Sequence, residues 1–474
     1  MSNTRCGCRT RADEASSSRA PVDPPDPERA RVLALLKAHG WNATSFQVLE
    51  PGFRYWFHGD DACIAYVDTG RALVVAGAPI APFARFGEVA EAFLEFAGGR
   101  GRRACFFATE SRFHEATGWH ATRVGDQPVW APEDWLEALG RSRSLREQLR
   151  RARAKGVAVR RLDAAELAET HPTRAQVDAL IARWHATRPM APMGFLVQVH
   201  PYAFVEERHV FVAEIGGRMV GFLGVIPIYA RGGWFFEDFL NDPAAPNGTI
   251  ELLIDTGMRA ATAGGVPYVT LGLVPLMGDV GAWLRVVRRL GASLYDFDGL
   301  RAFKAKFKPR AWDPVYLAYP PGANAWQAMI DTLTAFSRGG LLGFGVRTLL
   351  RGPAIVMRTL AVLLLPWTVF LALPVSAPWF PSDACRWSWV GFDVLVFVGL
   401  YRLSEWRHPR LADLLAGAVT LDAVLTLWQA IAFDLPRRRT LVDLAVILVA
   451  ILAPTLAAIL LWNSRAHQRS SPRR

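Results

Sequence analysis

Signatures of metal, disulfide and nucleotide chemistry are scarce in this sequence. Its 474 residues include five cysteines, with neither a CxxC pair nor a Cys/His cluster at zinc spacing, so neither a disulfide framework nor a metal site is indicated. There is no Walker A loop, GxSxG elbow or HExxH motif, and no pyrophosphate loop of the acetyl-CoA type joins a strand to a helix. Nucleotide, CoA and serine-hydrolase chemistry are therefore disfavoured, and we expect neither a cofactor nor a metal.

The N-terminal segment lacks a hydrophobic run. Residues 1–28 are rich in Pro, Ser and charged residues, so they contain no signal peptide and too little apolar surface to offset chain entropy. We expect this segment to be disordered and to remain in the reducing cytoplasm.

The composition indicates a soluble part joined to a membrane part. Hydrophobic residues make up 51% and charged residues 20%, which is too apolar for a typical soluble enzyme and too charged for a purely embedded transporter. The net charge of +11 suits partners rich in phosphate, such as nucleic acid or anionic lipid. Arginines in membrane loops explain part of this excess.

The order of periodic segments predicts mixed α/β structure followed by membrane helices. Hairpin turns are predicted at Thr69-Gly70 and Gly216-Gly217, and WDPVYLAYP is predicted to be the last strand. Helices are predicted near 29–39, 84–98, 173–187 and 249–263. Two successive sheets with flanking helices are the economical arrangement. The predicted divisions are 1–28, subdomains 29–140 and 141–320, an amphipathic connector 321–353, a membrane module 354–462 and a basic tail 463–474.

Four apolar stretches in the membrane module approach the roughly 20 residues needed to cross hydrocarbon. They are 354–376, 387–403, 411–433 and 441–462. Asp393 and Asp422 lie inside two of them and should face the bundle interior, either for an interhelical hydrogen bond or for a transport role. Loop arginines favour both termini inside, although Arg437, Arg438 and Arg439 oppose this topology. We expect a multi-pass inner-membrane protein with a cytoplasmic catalytic domain.

Two basic clusters lie in the second soluble unit. Between Arg141 and Lys155 seven basic residues, Arg146 and Arg150 among them, accompany a single acid, which indicates either a solvated helix face or a phosphate-binding surface. Between Arg301 and Arg310 lysines alternate with phenylalanines. If this segment is extended, its lysines share one face, which fits either a polyanion site or an amphipathic edge strand.

Carboxylates are predicted near one strand end and one helix start. Glu237 and Asp238 lie in the strand GWFFEDFL, and Glu251 lies just inside the predicted helix at 249–263. Such carboxylates can hold an amine or act as a base, although surface and capping roles are commoner.

The chain resembles the C-terminal catalytic domain of phosphatidylglycerol lysyltransferases and related aminoacyl-phospholipid synthases. The motifs that carry this resemblance are SLREQLRRARAKG, EDFLNDPAAPNGTIELLIDTGMRAA, VTLGLVPL and, most specifically, LYDFDGLRAFKAKFKPRAWDPVYLAYP. It covers roughly residues 30–320. The resemblance implies tandem acetyltransferase-like (GNAT-type) folds whose second half accepts an aminoacyl group from tRNA and passes it to a lipid hydroxyl.

The resemblance also implies a set of site residues. Glu237, Asp238 and Glu251 would bind the amine of the amino acid or assist the hydroxyl. Asn247 and Gly248 would shape the loop before the helix. Residues implied to contact or lie beside tRNA or lipid phosphate are Arg301, Lys304, Lys306, Tyr295 and Asp298. From the first basic cluster, we expect Arg146 and Arg150 to bind substrate as well. The implied partners are an aminoacyl-tRNA donor, an anionic phospholipid acceptor and the membrane.

The chain departs from the lysyltransferase pattern in one respect, and two alternative functions remain open. Lysyltransferases usually carry a large N-terminal membrane domain, whereas the spans predicted here follow the soluble part, so they either anchor it or handle lipid separately. An acyl-CoA-dependent lipid acyltransferase on the same fold would be protected by acyl-CoA and not by tRNA. An inactive membrane-tethered binding module would bind tRNA or lipid without turnover.

Overall fold

A computed structural model of the chain describes residues 26–188, 190–291, 295–337, 340–351, 353–405, 409–437 and 440–469. Its strands are β1 Arg54–Phe57, β2 Cys63–Asp68, β3 Ala72–Ala76, β4 Arg103–Thr109, β5 His120–Trp130, β6 Ala158–Leu162, β7 His209–Ile215, β8 Arg218–Ile228, β9 Gly233–Asn241, β10 Val269–Thr270, β11 Val274–Pro275 and β12 Ala311–Tyr319. Its α-helices are α1 Pro27–His39, α2 Phe86–Gly98, α3 Ser111–Thr117, α4 Trp135–Gly140, α5 Arg143–Ala154, α6 Pro172–Ala186, α7 Thr249–Ala263, α8 Ala282–Gly291, α9 Phe297–Ala305, α10 Ala325–Phe336, α11 Leu341–Arg351, α12 Pro353–Ala372, α13 Asp383–Glu405, α14 Pro409–Gln429, α15 Leu435–Arg437 and α16 Leu441–Arg469.

Several predicted elements are confirmed. Helix α7 has the predicted bounds, β12 is the last strand, and the glycine-containing hairpin turns join β2 to β3 and β7 to β8. Helix α1 begins at Pro27, where Asp26 accepts a hydrogen bond of 3.0 Å from the Glu28 amide. The end of the segment predicted to be disordered is therefore helical, and its residues 1–25 lie outside the described residues.

The strands form one sheet, so the prediction of two successive sheets is wrong. The order is β1-β2-β3-β4-β12-β5-β10-β9-β8-β7-β6, and β11 also pairs with β5. The last strand, β12, inserts between β4 and β5, and β5 pairs with β10 of the second half. Since these pairings join residues far apart in the chain, they leave no local pattern in the sequence.

Each half contains a strand, a helix and a parallel strand. In the first half β3, α2 and β4 form this unit, and in the second half β9, α7 and β10 form it. Antiparallel strands precede the unit in both halves. The repeat agrees with two acetyltransferase-like halves, and the mixed sheet with its helices confirms the predicted α/β (α+β) class.

Helix α7 packs on the second half of the sheet because its apolar residues recur at helical spacing. Leu253, Ile254 and Met258 are completely buried in a cluster with Leu223 and Phe236 of the sheet. This packing fixes the start of α7 relative to β9, and the functional residues described below lie near both elements.

Three helical segments beyond the sheet are long and apolar enough to cross a membrane. They are Asp383–Leu403, Arg410–Arg437 and Asp443–Trp462, and Leu360–Ala372 in α12 is a shorter apolar helix. The fourth span therefore remains a prediction. Asp393 on α13 is 5% exposed and accepts a hydrogen bond of 3.4 Å from Thr368 on α12, which favours the interhelical role.

Candidate active site

The parallel strands β9 and β10 are paired over a short stretch only, and β9 has a β-bulge just beyond that stretch. They pair only at Trp234 with Val269 and at Phe235 with Thr270. On the other side of β9, Phe236 and Asp238 pair with consecutive residues of β8, so Glu237 is the extra residue of a bulge. Because bulges redirect side chains, Glu237 and Asp238 are reoriented on β9 just beyond the point where its pairing with β10 ends.

Four charged side chains meet there, and we call Glu50, Arg208, Glu237 and Asp238 the Arg208 cluster. Arg208 donates hydrogen bonds of 2.7 Å to Glu237 and 3.2 Å to Glu50. Its Nε also donates to the carbonyl of Ala203 at 2.9 Å, which fixes the plane of the guanidinium. Glu50 belongs to the first half of the chain, so the cluster lies where the two halves meet.

The Arg208 cluster contains three acidic side chains and one basic side chain, and it is almost completely buried. The side chains of Arg208, Glu50 and Glu237 are at most 3% exposed. Burial, followed by the charge of Glu237, raises the pKa values of Glu50 and Asp238 well above their usual range. One oxygen on each carboxyl has no hydrogen-bond partner among the described residues: Glu50 Oε2, Glu237 Oε1 and Asp238 Oδ2. The cluster can therefore accept hydrogen bonds from a cationic group.

A cavity of about 300 Å³ touches the cluster at Glu50. Its lining also includes Arg29 of α1 and Tyr55 of β1, and it includes no other member of the cluster. Two guanidinium nitrogens of Arg29, Nε and Nη2, have no partner among the described residues. Glu50 therefore connects the buried cluster to this cavity.

Glu251, on the first turn of α7, lies in a different pair. Its carboxylate accepts a hydrogen bond from Lys306, and Lys306 Nζ lies 4.3 Å from the ring centre of Phe303. The Glu251 residue is 7% exposed, and the Lys306 side chain is 25% exposed. A cation at the start of α7 is thereby held in place while part of it remains accessible to solvent.

Gly248 allows α7 to begin against α5. Its φ of 96° is in the left-handed region, and a Cβ at this position would lie 2.3 Å from the carbonyl oxygen of Gln148. Asn247 lies in the preceding turn, where the Thr249 hydroxyl donates to the carbonyl of Pro246 at 2.7 Å. The positive φ of Gly248 therefore lets the chain turn into α7 directly against α5.

Lys304 is buried and binds backbone carbonyls. The segment between Arg301 and Arg310 that contains it is not extended at Lys304, so the extended conformation considered for this segment is wrong. Residues up to Ala305 are helical in α9. Lys304 Nζ donates to the carbonyls of Leu271, Gly272 and Leu273 at 2.6, 3.0 and 3.1 Å. Burial lowers the pKa of Lys304 to about 7, and making all three contacts uses the three donors of an ammonium group. Its contacts connect α9 to the chain that follows β10.

Most arginines of α5 are paired within the protein. Arg146 donates to the carbonyls of Leu139, at 3.0 Å, and Gly140, and so caps α4. Arg150 pairs with Glu147 at 2.7 Å, although its side chain stays 70% exposed. Arg143 and Lys155 are also exposed. The pairing explains how one helix tolerates so many like charges, and the exposed residues still form a positive surface.

The remaining predicted residues lie around α9. The guanidinium of Arg301 lies 5.1 Å from the ring centre of Trp312. Tyr295 packs against Phe297 with ring centres 4.8 Å apart, and Asp298 is exposed on the first turn of the helix. None of the contacts described for these three residues joins them to the Arg208 cluster.

Sequence reasoning missed Glu50 and Arg208. Glu50 follows the apolar run FQVL, and Arg208 ends the charged run Glu206-Glu207-Arg208 just before β7. A charge beside a buried apolar segment was the available signal. It did not reveal a partner, because Arg208 lies 158 positions after Glu50.

Comparison with known proteins agrees with the motifs. The family described as "Phosphatidylglycerol lysyltransferase, C-terminal" matches residues 33–319. A phosphatidylglycerol lysyltransferase of Bacillus subtilis is 24% identical over 309 residues, which are 62% of this chain and 35% of that protein. A lysylphosphatidylglycerol biosynthesis bifunctional protein of Mycolicibacterium gilvum is 26% identical over 226 residues, 45% of this chain and 20% of that protein. The chain thus spans about a third or less of these relatives.

Two solved structures share the fold. The C-terminal domain of a putative lysylphosphatidylglycerol synthetase from Agrobacterium fabrum matches with a TM-score of 0.55 at 23% identity, covering 66% of this chain and 99% of that one. The structure of L-PGS from Bacillus licheniformis matches with a TM-score of 0.57 at 22% identity, covering 68% and 98%. Both likenesses concern the fold alone.

Proposed function

This chain belongs to the phosphatidylglycerol lysyltransferase C-terminal family, and from that membership we propose that it is a membrane-anchored aminoacyltransferase. It takes an aminoacyl group, lysyl or similar, from aminoacyl-tRNA and transfers it to the hydroxyl of phosphatidylglycerol or a related lipid. The observation that carries the proposal is the Arg208 cluster, a buried group of three carboxyls around one guanidinium just beyond the end of the pairing between β9 and β10.

We assign the Arg208 cluster to the amine of the aminoacyl group. Three carboxyls surround one arginine, so the cluster has fewer basic than acidic groups, and Asp238 Oδ2 has no partner among the described residues. An ammonium group offers three donors, which carboxyl oxygens can accept. Binding a cation also favours ionised carboxylates, so a site whose acids are hard to ionise gains most from a cationic ligand.

The reaction needs little chemistry from the protein, because the aminoacyl ester is already activated. The lipid hydroxyl oxygen attacks the ester carbonyl, the bond from that carbon to the ribose oxygen breaks, and the proton lost by the lipid hydroxyl ends on the ribose oxygen. Glu237 carries this proton between the two oxygens, as a base first and as an acid afterwards, because burial raises the pKa of Asp238 and keeps that carboxyl protonated. Positioning the two large substrates provides much of the acceleration.

Basic residues on the same half serve the phosphates of the substrates. Lys306 is oriented by Glu251 and partly exposed, so it faces a phosphate near the start of α7. Arg301 lies nearby in sequence on α9. The exposed residues Arg143, Arg150 and Lys155 of the α5 region supply a surface for the backbone of the donor tRNA.

The apolar helices hold the catalytic part at the membrane, with both termini and the active site on the cytoplasmic side. Three of them satisfy the length and composition of a span. An acceptor that resides in the bilayer would then be available to a site attached to that bilayer.

Mass spectrometry of lipids from cells that express the chain tests this function. We expect a new lipid heavier by one aminoacyl residue, which would identify the donor and the acceptor together. The variant Glu237→Gln should abolish it, because the amide removes the charge at almost unchanged size. Glu95→Gln, which alters an exposed carboxylate on α2, is the matched control and should retain the product.

Reconstitution distinguishes the alternatives. Purified protein in phosphatidylglycerol vesicles should form the product with aminoacyl-tRNA and should not form it with acyl-CoA. Turnover with acyl-CoA alone, or product from Glu237→Gln equal to that from the parent, would contradict the proposal. Binding of tRNA without turnover of any aminoacyl donor would instead indicate a binding module.

A further inference from the structure

Helix α10 exposes three large apolar side chains on one side and buries mainly small residues on the other, where Met329 and Phe336 also pack partly against the core. Ala328, Thr332 and Ala335 pack inward, and Asp331 on the same side forms an ion pair of 2.6 Å with Arg103. On the opposite side Trp326, Ile330 and Leu333 are 55%, 38% and 45% exposed, at positions that share one helical face. A helix that served only the core would bury its larger residues, so this outer face fits a partner.

A second helix, distant in sequence, extends the same surface. Trp283 of α8 contacts Trp326, with ring centres 5.4 Å apart. Val286 of α8 is 52% exposed, and Arg285 and Arg289 are exposed beside it. We call the surface formed by Trp283, Val286, Trp326, Ile330 and Leu333 the α8–α10 face. Its composition of tryptophan, aliphatic residues and neighbouring arginine is typical of helices at a membrane interface.

The chain connects this face to the apolar helices. Helix α11 begins at Leu341, soon after α10 ends at Phe336, and packs against α12 and α16. Arg347 of α11 donates to the carbonyl of Ser337 at 3.0 Å, just after α10. The hydroxyl of Thr348 accepts a hydrogen bond of 3.3 Å from the amide of Ala191, in the part that contains the Arg208 cluster. The length of α11 adds only about 16 Å between α10 and the helices proposed to enter the bilayer.

We propose that the α8–α10 face lies on the surface of the bilayer and is occupied by the headgroup and upper acyl region of anionic lipids. Three observations support anionic lipid as the occupant. The face exposes apolar side chains, and the connection from it to the apolar helices is short. In addition, α8 carries arginines and has no acidic residue between Ala282 and Gly291. The contact orients the soluble part on the membrane. It does not depend on the proposed transferase activity, since any protein with this face would lie on the bilayer in the same way.

Fluorescence quenching in the full-length protein tests the contact. Ile330→Cys and Leu333→Cys are labelled with an environment-sensitive dye in a background of Cys6→Ser, Cys8→Ser and Cys385→Ser. Leu136→Cys on α4 is the matched control, because Leu136 is 59% exposed and distant in sequence from both helices. The proteins are reconstituted in nanodiscs of phosphatidylglycerol with phosphatidylcholine, with and without lipids that carry a nitroxide near the headgroup.

Labels at 330 and 333 should lose about half or more of their fluorescence to nitroxide lipids, while the label at 136 should respond to a water-soluble quencher only. Arg289→Glu should reduce the lipid quenching in anionic discs and leave it unchanged in discs of phosphatidylcholine alone. The proposal would be overturned if the water-soluble quencher reduced the fluorescence of the labels at 330 and 333 as much as that of the label at 136. Protection from both quenchers would also overturn it, because it would identify a protein as the occupant. Each readout is independent of turnover, so failure of this proposal and failure of the transferase proposal are distinguishable.

Discussion

Arg208 and Glu237 form an ion pair of 2.7 Å in which the side chains are only 1% and 3% exposed. Arg208 immediately precedes β7, and Glu237 is the bulge residue of β9, so the pair connects two strands separated by β8 in the sheet. Glu50 contacts the same guanidinium from the first half of the chain. The pair therefore combines a structural role between the halves with the charge imbalance that the proposed amine site uses.

Loss of the guanidinium should be strongly destabilising. Arg208→Met leaves Glu50, Glu237 and Asp238 buried without their cation, and we expect a loss of about 3 to 5 kcal/mol in the free energy of unfolding. Pulse proteolysis of the purified protein in increasing urea measures this change. Arg150→Met removes an exposed pair with Glu147 and should cost less than about 1 kcal/mol. Equal losses for both variants would contradict the structural role.

Asp238 should make stability fall as the pH rises. Burial raises its pKa in the folded protein, so between the usual value of 3.8 and the raised value the folded state holds a proton that the unfolded chain has released. Stability from this group is present at low pH and is lost as the pH increases through that interval. Asp238→Asn should flatten this part of the curve when unfolding is measured at several pH values.

A surface aspartate provides the comparison for that experiment. Asp60 is fully exposed and lies outside the Arg208 cluster, so Asp60→Asn is the control for the substitution of an aspartate by asparagine. A slope that is unchanged in Asp238→Asn would show that Asp238 does not titrate in the folded protein as described.

Removal of the Lys304 amine should weaken the chain that follows β10. Lys304→Met leaves the carbonyls of Leu271, Gly272 and Leu273 without their shared donor, and each buried acceptor left unsatisfied costs about 1 to 3 kcal/mol. Hydrogen exchange of the amides around 269–276 should accelerate, and the unfolding temperature should fall. Lys155→Met, at an exposed position after α5, should change neither measurement. Unchanged exchange in Lys304→Met would contradict the structural role of this lysine.

Alanine substitutions at Gly248 and Gly265 distinguish the free-energy cost of backbone strain from the cost of a steric clash. Both have positive φ, 96° and 65°, so alanine at either position adds about 1 to 2 kcal/mol of strain. Only at Gly248 would the new Cβ meet a backbone oxygen at 2.3 Å, whereas nothing lies within 4 Å at Gly265. Gly248→Ala should therefore lower the unfolding temperature much more than Gly265→Ala. A similar decrease in both variants would show that α5 can move away from α7.

The basic α5 region should contribute to binding of tRNA by neutralising phosphates. In Arg143→Gln/Lys155→Gln the logarithm of the binding constant should fall less steeply with the logarithm of salt concentration, by about 0.7 to 0.9 for each phosphate that is no longer neutralised. Filter binding at several salt concentrations measures this slope. Arg71→Gln/Arg100→Gln removes two exposed charges elsewhere and should leave the slope unchanged. If the α5 variant shows the same slope as the parent protein, this surface is excluded as the site that binds the donor tRNA.

Local sequence patterns predicted helices and turns well because such elements depend on near neighbours. Helix α7 follows from apolar residues at helical spacing and from Gly264-Gly265 at its end, and two hairpins follow from their glycines. The segment before Arg310 was harder, because alternating lysine and phenylalanine fit a strand while Lys304 required the helical conformation to reach three carbonyls. A tertiary contact outweighed the local alternation there.

The sequence by itself determined the α/β class, the apolar helices after the sheet, the motifs of the family and the acidic pair Glu237 and Asp238. Only the tertiary structure decided that the strands form one sheet, that Glu251 binds Lys306, and that Glu50 and Arg208 join the acidic pair. Patterns of spacing report contacts between residues a few positions apart, because those contacts follow from the geometry of one helix or strand. The Arg208 cluster depends instead on the insertion of β12, the pairing of β5 with β10 and a bulge, which bring distant segments together through packing of the whole sheet.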